Sequence, residues 1–223
     1  ALNDTSIESL DFLNDIESVG ALRLHQNAGL SDFSGLSNIA FHEINNGDGT
    51  FTPGSLSIRD QAHFNELFMS PEGISVRLEN LSNLRGILVS SSDLEEFSLI
   101  NTGVKTLILP ATFTIESDDY GNGLRVCDNA ELENLVMSSL HSADNITLDN
   151  NPLLQLLELP RLSEIDSFFL RQSALQDLSM PDLTAVNDEF RVEDNPQLCQ
   201  EQVQAIADSV GVTCDCSNNQ SCE

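Results

Sequence analysis

Three sets of side chains in this 223-residue chain could do chemistry: a sparse set of arginines, scattered carboxylates, and cysteines gathered at one end. Only 9 Lys and Arg stand against 36 Asp and Glu, a formal charge of −27, and Lys105 is the one lysine. Arginine in such a background matters because its planar fork grips a carboxylate, sulfate or phosphate through two donors. Carboxylates could serve as acid and base in a glycoside-cleaving groove, or as oxygen ligands for a hard cation such as calcium. Cys199, Cys214, Cys216 and Cys222 all fall within the last 25 residues. Their spacing, C-x14-C-x-C-x5-C with no nearby histidine, suits two disulfides in an oxidising compartment better than the paired C-x-x-C ligands of zinc. Cys127 is left as a free thiol or a small apolar side chain.

The elements that must hold these groups follow from an internal repeat. Short alternating segments are anchored at Leu24, Ile58, Leu78, Leu99, Val126, Leu148, Leu170 and Val192, and the last four lie 22 residues apart each time. One unit runs Ile146, Leu148, Asn151, Leu154, Leu157, Leu159, Pro160, Leu162, Ile165. Period-two alternation makes each anchor segment a strand with one inward and one outward face. A lone coil cannot bury its apolar side, so coils must stack into a solenoid with parallel sheets along its length. A second sheet is expected at Leu107/Leu109, Leu135/Met137, Leu157/Leu159 and Leu178/Met180, with Pro110, Pro160 and Pro181 ending the strands. The core is aliphatic: 33 leucines, 11 Phe, one Tyr and no Trp.

Asn27, Asn129, Asn151 and Asn195 recur in one phase just past the strand, where an amide can satisfy turn backbone from one coil to the next. Their expected role is structural. Extra residues relative to the period fall in Phe41 to Gly54 and near Glu116 to Gly123, and such insertions project as loops that often carry binding function. Asp48 in the first and Asp118 and Asp119 in the second are the calcium candidates, although neither loop fits the D-x-[DN]-x-[DN]-G-x5-E pattern.

Both ends need covers. Leu10, Leu13, Ile16, Val19, Leu22 and Leu24 fit the closing half of a coil. Val203, Ile206, Ala207 and Val210 lie at helical spacing with Gly211 as the stop, so a helix is expected as a lid. Cys199 precedes it and Cys214 follows, and a bridge between them would pin it, although the pairing among the four cysteines stays open. The organisation is one solenoid over residues 1–216, with an N-terminal coil or cap (1–20), coils (21–198), a capping helix and disulfide-stapled end (199–216), then a tail (217–223).

Over roughly residues 5 to 216 the chain resembles the receptor L domain, the leucine-rich, β-helix-like ligand-binding module of insulin-type and epidermal-growth-factor-type receptors. The segments that carry the likeness are Leu10-Asp11-Phe12-Leu13-Asn14-Asp15-Ile16-Glu17-Ser18-Val19-Gly20-Ala21-Leu22 and Asp194-Asn195-Pro196-Gln197-Leu198-Cys199. Secreted bacterial proteins with a single such domain are also similar. The resemblance implies a mainly β, right-handed, leucine-rich solenoid and a ligand-binding role; receptor signalling is not carried over, since these residues do not include the receptors' Cys-rich module, kinase or second L domain.

Counting outward from the anchors gives two columns on the main sheet. One is Arg23, Ser57, Arg77, Ser98, Arg125, Thr147, Phe169 and Arg191; the other is His25, Arg59, Glu79, Ile100, Cys127, Asp149, Arg171 and Glu193. Six of the nine basic residues fall in them. Cross-strand ion pairs could account for Arg59 and Arg171, facing Glu79 and lying between Asp149 and Glu193. Arg23, Arg77, Arg125 and Arg191, whose column shows no acid, form a comb for an acidic partner, with Phe169 as an apolar or sugar-stacking anchor.

The expected function is therefore a non-catalytic recognition or adhesion module, secreted or at the cell surface, binding a protein or glycan through Arg23, His25, Arg59, Arg77, Arg125, Phe169, Arg171 and Arg191 and through its inserted loops. No cofactor is expected. The charge argues against nucleic acid, and no run approaches the ~20 apolar residues of a membrane span. The opening at Ala1 fits an exported chain after loss of its signal peptide, or a trimmed one. The alternatives are an envelope or matrix spacer, or a carbohydrate-active β-helix enzyme. Against catalysis, Asp149 and Glu193 lie two coils apart with Arg171 between, and His25, His42, His63 and His141 occupy different phases. Sequons at Asn3, Asn80, Asn145 and Asn219 are too easily formed in an Asn- and Ser-rich chain to identify a host.

Overall fold

The computed structural model describes residues 1–47, 51–69, 73–117 and 123–222. Asp48, Asp118 and Asp119 lie outside them. The chain winds into a parallel β-solenoid of about nine turns with coils of about 22 residues. Every anchor aligns with the next: Leu24 pairs with Ile58, Ile58 with Leu78, Leu78 with Leu99, Leu99 with Val126, Val126 with Leu148, Leu148 with Leu170 and Leu170 with Val192. All eight side chains are fully buried. The alternation works because a one-residue slip would turn this whole apolar row to solvent.

The main sheet continues past the anchors at both ends. Leu2–Asn3 pairs ahead of Ala21–His25, with Leu2 opposite Leu24, and Cys214–Ser217 pairs beyond Ala185–Glu193, with Cys216 opposite Val192. A second sheet holds Glu66–Met69, Gly86–Val89, Thr106–Ile108, Asn134–Val136 and Leu156–Glu158. It begins two coils earlier than the leucine pairs suggest. Leu178 and Met180 are buried but irregular, so the expected fourth strand there does not form. In the first two coils the corresponding place is taken by 3-10 turns, Asp11–Asp15 and Ser34–Asn38. Leu10, Leu13, Leu22 and Leu24 enter the core, whereas Ile16 is exposed and Val19 is only partly covered.

One residue per coil turns the corner with positive φ: Asp4, Gln26, Asp60, Asn80, Asn101, Asp128, Asn150, Gln172, Asp194 and Asn218. Left-handed backbone is costly for most side chains, and Asn and Asp tolerate it best. The next residue in each coil points inward. Asn27, Asn129, Asn151 and Asn195 occupy this position and are buried. Asn195 Nδ2 donates to the carbonyls of Leu170 at 3.1 Å and Glu193 at 2.9 Å, and its Oδ1 accepts the Ser173 N–H at 3.0 Å. Asn27 donates to Leu2 O at 2.9 Å and accepts from the N–H and hydroxyl of Thr5. Asn151 donates to Val126 O at 2.8 Å and accepts the Asn129 N–H. Asn219 extends the series by donating to Val192 O and accepting the Asn195 N–H.

The C-terminal helix spans Gln200–Val210, buries Val203 and Ala207, and stops at Gly211, whose φ is +74°. Cys199 is bonded to Cys222 and Cys214 to Cys216, so the suggested Cys199–Cys214 bridge is replaced. The reason lies in the register. Cys214 and Cys216 sit on the last main-sheet strand, while the corner at Asn218 and Asn219 brings Cys222 back to the start of the helix. Residues 217–222 are therefore the final corner of the solenoid instead of a tail.

The first insertion is a hairpin, Ile44–Asn45 antiparallel to Phe51–Thr52, entered through Gly47 at φ +82°. Beside the second, Ser117 donates its N–H and its hydroxyl to Asp144 at 2.9 and 2.8 Å. Burial together with the carboxylates of Glu116, Glu43 and Asp144 pushes the pKa of Glu95 upward.

Candidate functional site

The register stacks the arginine column directly: Arg23, Ser57, Arg77, Ser98, Arg125, Thr147, Phe169 and Arg191 follow one another across adjacent strands. The neighbouring column runs His25, Arg59, Glu79, Ile100, Cys127, Asp149, Arg171, Glu193. Both lie on the outer face because the anchors between them point inward.

At the N-terminal end of this face a concavity of about 430 Å³ is lined by Arg23, His25, Ser57, Arg59, Arg77 and Glu96. Glu79, almost fully buried, takes Arg59 Nε at 2.6 Å and Arg77 Nε at 2.5 Å. Two guanidinium groups thus share one carboxylate, leaving net positive charge. His25 Nε2 lies 2.9 Å from Asp60 Oδ2. Arg23 is exposed and has no carboxylate within ion-pair distance among the described residues.

Two coils beyond Arg77, Arg125 is exposed and lies close enough to Cys127 to act on its thiol. Cys127 is buried although it lies in an outward column, and burial pushes its thiol pKa up against the opposing effect of Arg125. Further along, a second concavity of about 280 Å³ is lined by Thr147, Asp149, Phe169, Arg171 and Arg191. Arg171 Nη2 is 2.7 Å from Asp149 Oδ2 and its Nη1 is 3.5 Å from Glu193 Oε1. The bond to Asp149 holds the Arg171 guanidinium even further into its charged range. Arg191 sits over the Phe169 ring, 5.7 Å from its centroid, and pairs with Glu189 and with Asp215.

Asp215 changes the reading of the column. It lies opposite Arg191 on the last strand, so the row that shows no acid as far as Arg191 ends on one. Arg77 and Arg191 are ion-paired, and of the four-arginine comb Arg23 and Arg125 keep guanidinium groups without a carboxylate partner among the described residues. Asp149 and Glu193 share Arg171, which denies them the open pair of carboxylates that sugar cleavage needs. Among the described residues one group has metal-ligand geometry, Cys199, Glu201 and Cys222, and its two sulfurs are already bonded to each other. No helix among them is long and apolar enough to cross a membrane.

A feature that alternation alone misses lies on the second sheet. Phe68, Leu88 and Ile108 align across three strands and are all exposed, Phe68 to 52%. The signal is the break in alternation, since Leu67-Phe68-Met69, Ile87-Leu88-Val89 and Leu107-Ile108-Leu109 are apolar throughout.

Comparison with protein-family models, curated proteins and solved structures yields no match for this chain.

Proposed function

We propose that the chain is a non-catalytic recognition or adhesion module of the receptor L-domain kind, secreted or displayed at a cell surface. It takes a protein or glycan partner on the outer face of its main sheet, with the inserted loops beside it. The observation that carries this reading is placement: in a chain of net charge −27, six of nine basic residues line one face, and three arginines and a histidine line one concavity together with a single carboxylate, Glu96. Stacked coils hold these groups rigidly, so binding incurs little ordering entropy. Two disulfides support an oxidising compartment.

A spacer role is the second reading, favoured by the ion pairs that already occupy Arg59, Arg77, Arg171 and Arg191. The test combines a glycan array with pull-down from a native surface extract, using the wild type and an Arg77→Ser, Arg125→Ser double variant. Binding that weakens in the double variant without a lower melting temperature supports recognition. Equal binding removes this surface from the account, product formation points to an enzyme, and silence supports the spacer.

A further inference from the structure

We infer that the Arg23, Arg77 and Arg125 row seats a linear acidic polysaccharide laid along the solenoid axis, with one anionic group per disaccharide on each arginine. This rests on the recognition reading above and assigns its ligand class.

Spacing is the first argument. From Arg23 to Thr147 the row alternates a long cation with a short hydroxyl residue: Arg23, Ser57, Arg77, Ser98, Arg125, Thr147. Adjacent strands stand ~4.8 Å apart, so the arginines recur at about 9 to 10 Å. That is the length of one disaccharide in an extended polysaccharide. An extended peptide on the same path would present same-face side chains every ~6.6 to 6.8 Å, and acidic residues would fall out of step with the arginines after one repeat.

Shape is the second. Arg23, Arg77 and Arg125 are exposed, whereas Ser57 and Thr147 are half-buried and Ser98 is recessed, its hydroxyl donating to Glu96 at 2.6 Å. The row therefore alternates projecting cations with lower-lying hydroxyl residues, and the proposal places the uncharged sugar of each repeat over the latter. Ser57 and Thr147 offer hydroxyls to that sugar. Where the row continues, half-buried Phe169 lines the same face, with the Arg191 guanidinium over its ring.

Charge is the third. Arg23 and Arg125 have no carboxylate partner among the described residues, and Arg77 shares Glu79 with Arg59, which can keep Glu79 when Arg77 turns to a ligand. A carboxylate or a sulfate fits the guanidinium fork equally well. Glu96, which accepts the Ser98 hydroxyl between Arg77 and Arg125, is a carboxylate set within the row, while acidity beyond ~8 Å is screened at physiological ionic strength.

The test is titration calorimetry of the whole chain with three oligosaccharide series: hyaluronan, with one carboxylate per disaccharide; κ-carrageenan, with one sulfate; and uncharged agarose oligomers. For at least one charged series, affinity rises with length until the oligomer spans Arg23 to Arg125 and then levels off. Uncharged oligomers bind about tenfold more weakly or worse, and Arg23→Ser, Arg77→Ser and Arg125→Ser each cost about tenfold at unchanged melting temperature. The decisive variant moves a charge by one coil: Arg77→Ser combined with Ser57→Arg keeps the net charge and breaks the spacing, and it loses affinity as the single Arg77 variant does. Full affinity in that swapped variant, or equal binding of uncharged oligomers, overturns the register while leaving recognition intact. An oligoglutamate peptide that binds through the same arginines while all three sugar series stay silent also overturns the polysaccharide and keeps the recognition surface. Silence of every probe overturns the polysaccharide, and the array and pull-down then decide the recognition reading separately.

Discussion

Asn129 Oδ1 accepts both the backbone N–H and the side-chain hydroxyl of Thr102, at 3.0 and 2.8 Å, from the coil before. The same amide donates to the carbonyls of Leu99 and Cys127, each at 2.9 Å. One buried side chain thus closes a corner that backbone pairing alone leaves open. Replacing it strands several buried polar groups, each costing about 1 to 3 kcal/mol. Asn129→Ala is expected to lower the urea midpoint by an amount equivalent to about 3 kcal/mol or more, whereas Asn129→Asp retains the acceptor and loses the donors. An Ala variant as stable as the wild type would contradict the role.

Immediately outside this ladder, Asn150 adopts φ +53° and donates from Nδ2 to Asp128 Oδ1 at 2.7 Å. Left-handed backbone costs roughly 1 to 2 kcal/mol for an ordinary residue and nothing for glycine. Asn150→Gly is therefore expected to be close to neutral, and Asn150→Val to destabilise by about 1 to 2 kcal/mol in the same denaturation assay. Equal effects of the two would show that this corner does not hold positive φ in solution.

Cys199 and Cys222 are 23 residues apart and close the helix and last corner onto the solenoid. A loop of this size corresponds to about 3 kcal/mol of constrained unfolded-state entropy. The paired Cys199→Ser, Cys222→Ser variant is expected to lose stability of that order. Hydrogen exchange should locate the loosening in Gln200–Val210 and leave the central coils protected.

Glu95 is destabilised in its charged form by burial and by Glu116, Glu43 and Asp144. The folded chain holds this proton more tightly than the unfolded chain, so the contribution to stability is full below the ordinary value of 4.5 and is lost as pH rises through the raised folded value. Glu95→Gln should raise the melting temperature at neutral pH and change it little near pH ~4. A variant that melts lower at neutral pH would show that the carboxylate is held in its charged form.

The solenoid was legible because its core obeys one phase: Leu24 through Val192 can be counted without knowing any contact, and the strands pair at those residues. The ends were harder to read. Leu2 lies 22 residues before Leu24, yet a two-residue strand carries no alternation to detect. Cys216 replaces an aliphatic anchor with half of a disulfide, which hid both the last strand and Asp215 beside it. The positive-φ corners fall at Gln26-Asn27, Asp128-Asn129, Asn150-Asn151 and Asp194-Asn195, where the inward asparagine follows the repeat and its outward neighbour, which takes the left-handed backbone, varies between Gln, Asp and Asn. For the cationic face, period two placed each arginine on the outside, and side-chain reach decided the rest. The column count pairs Glu79 with Arg59 on the strand before, but it does not reveal that Glu79 also takes Arg77 on its own strand.

Hydroxyl-radical footprinting of the chain with and without the ligand selected on the array tests the central claim most directly, because it compares the two sheets in one experiment. A recognition surface on the main sheet predicts protection at His25, Arg77, Arg125 and Phe169, with Phe68, Leu88 and Ile108 on the second sheet unchanged. Protection of Phe68, Leu88 and Ile108 with His25 and Phe169 still reactive would contradict it.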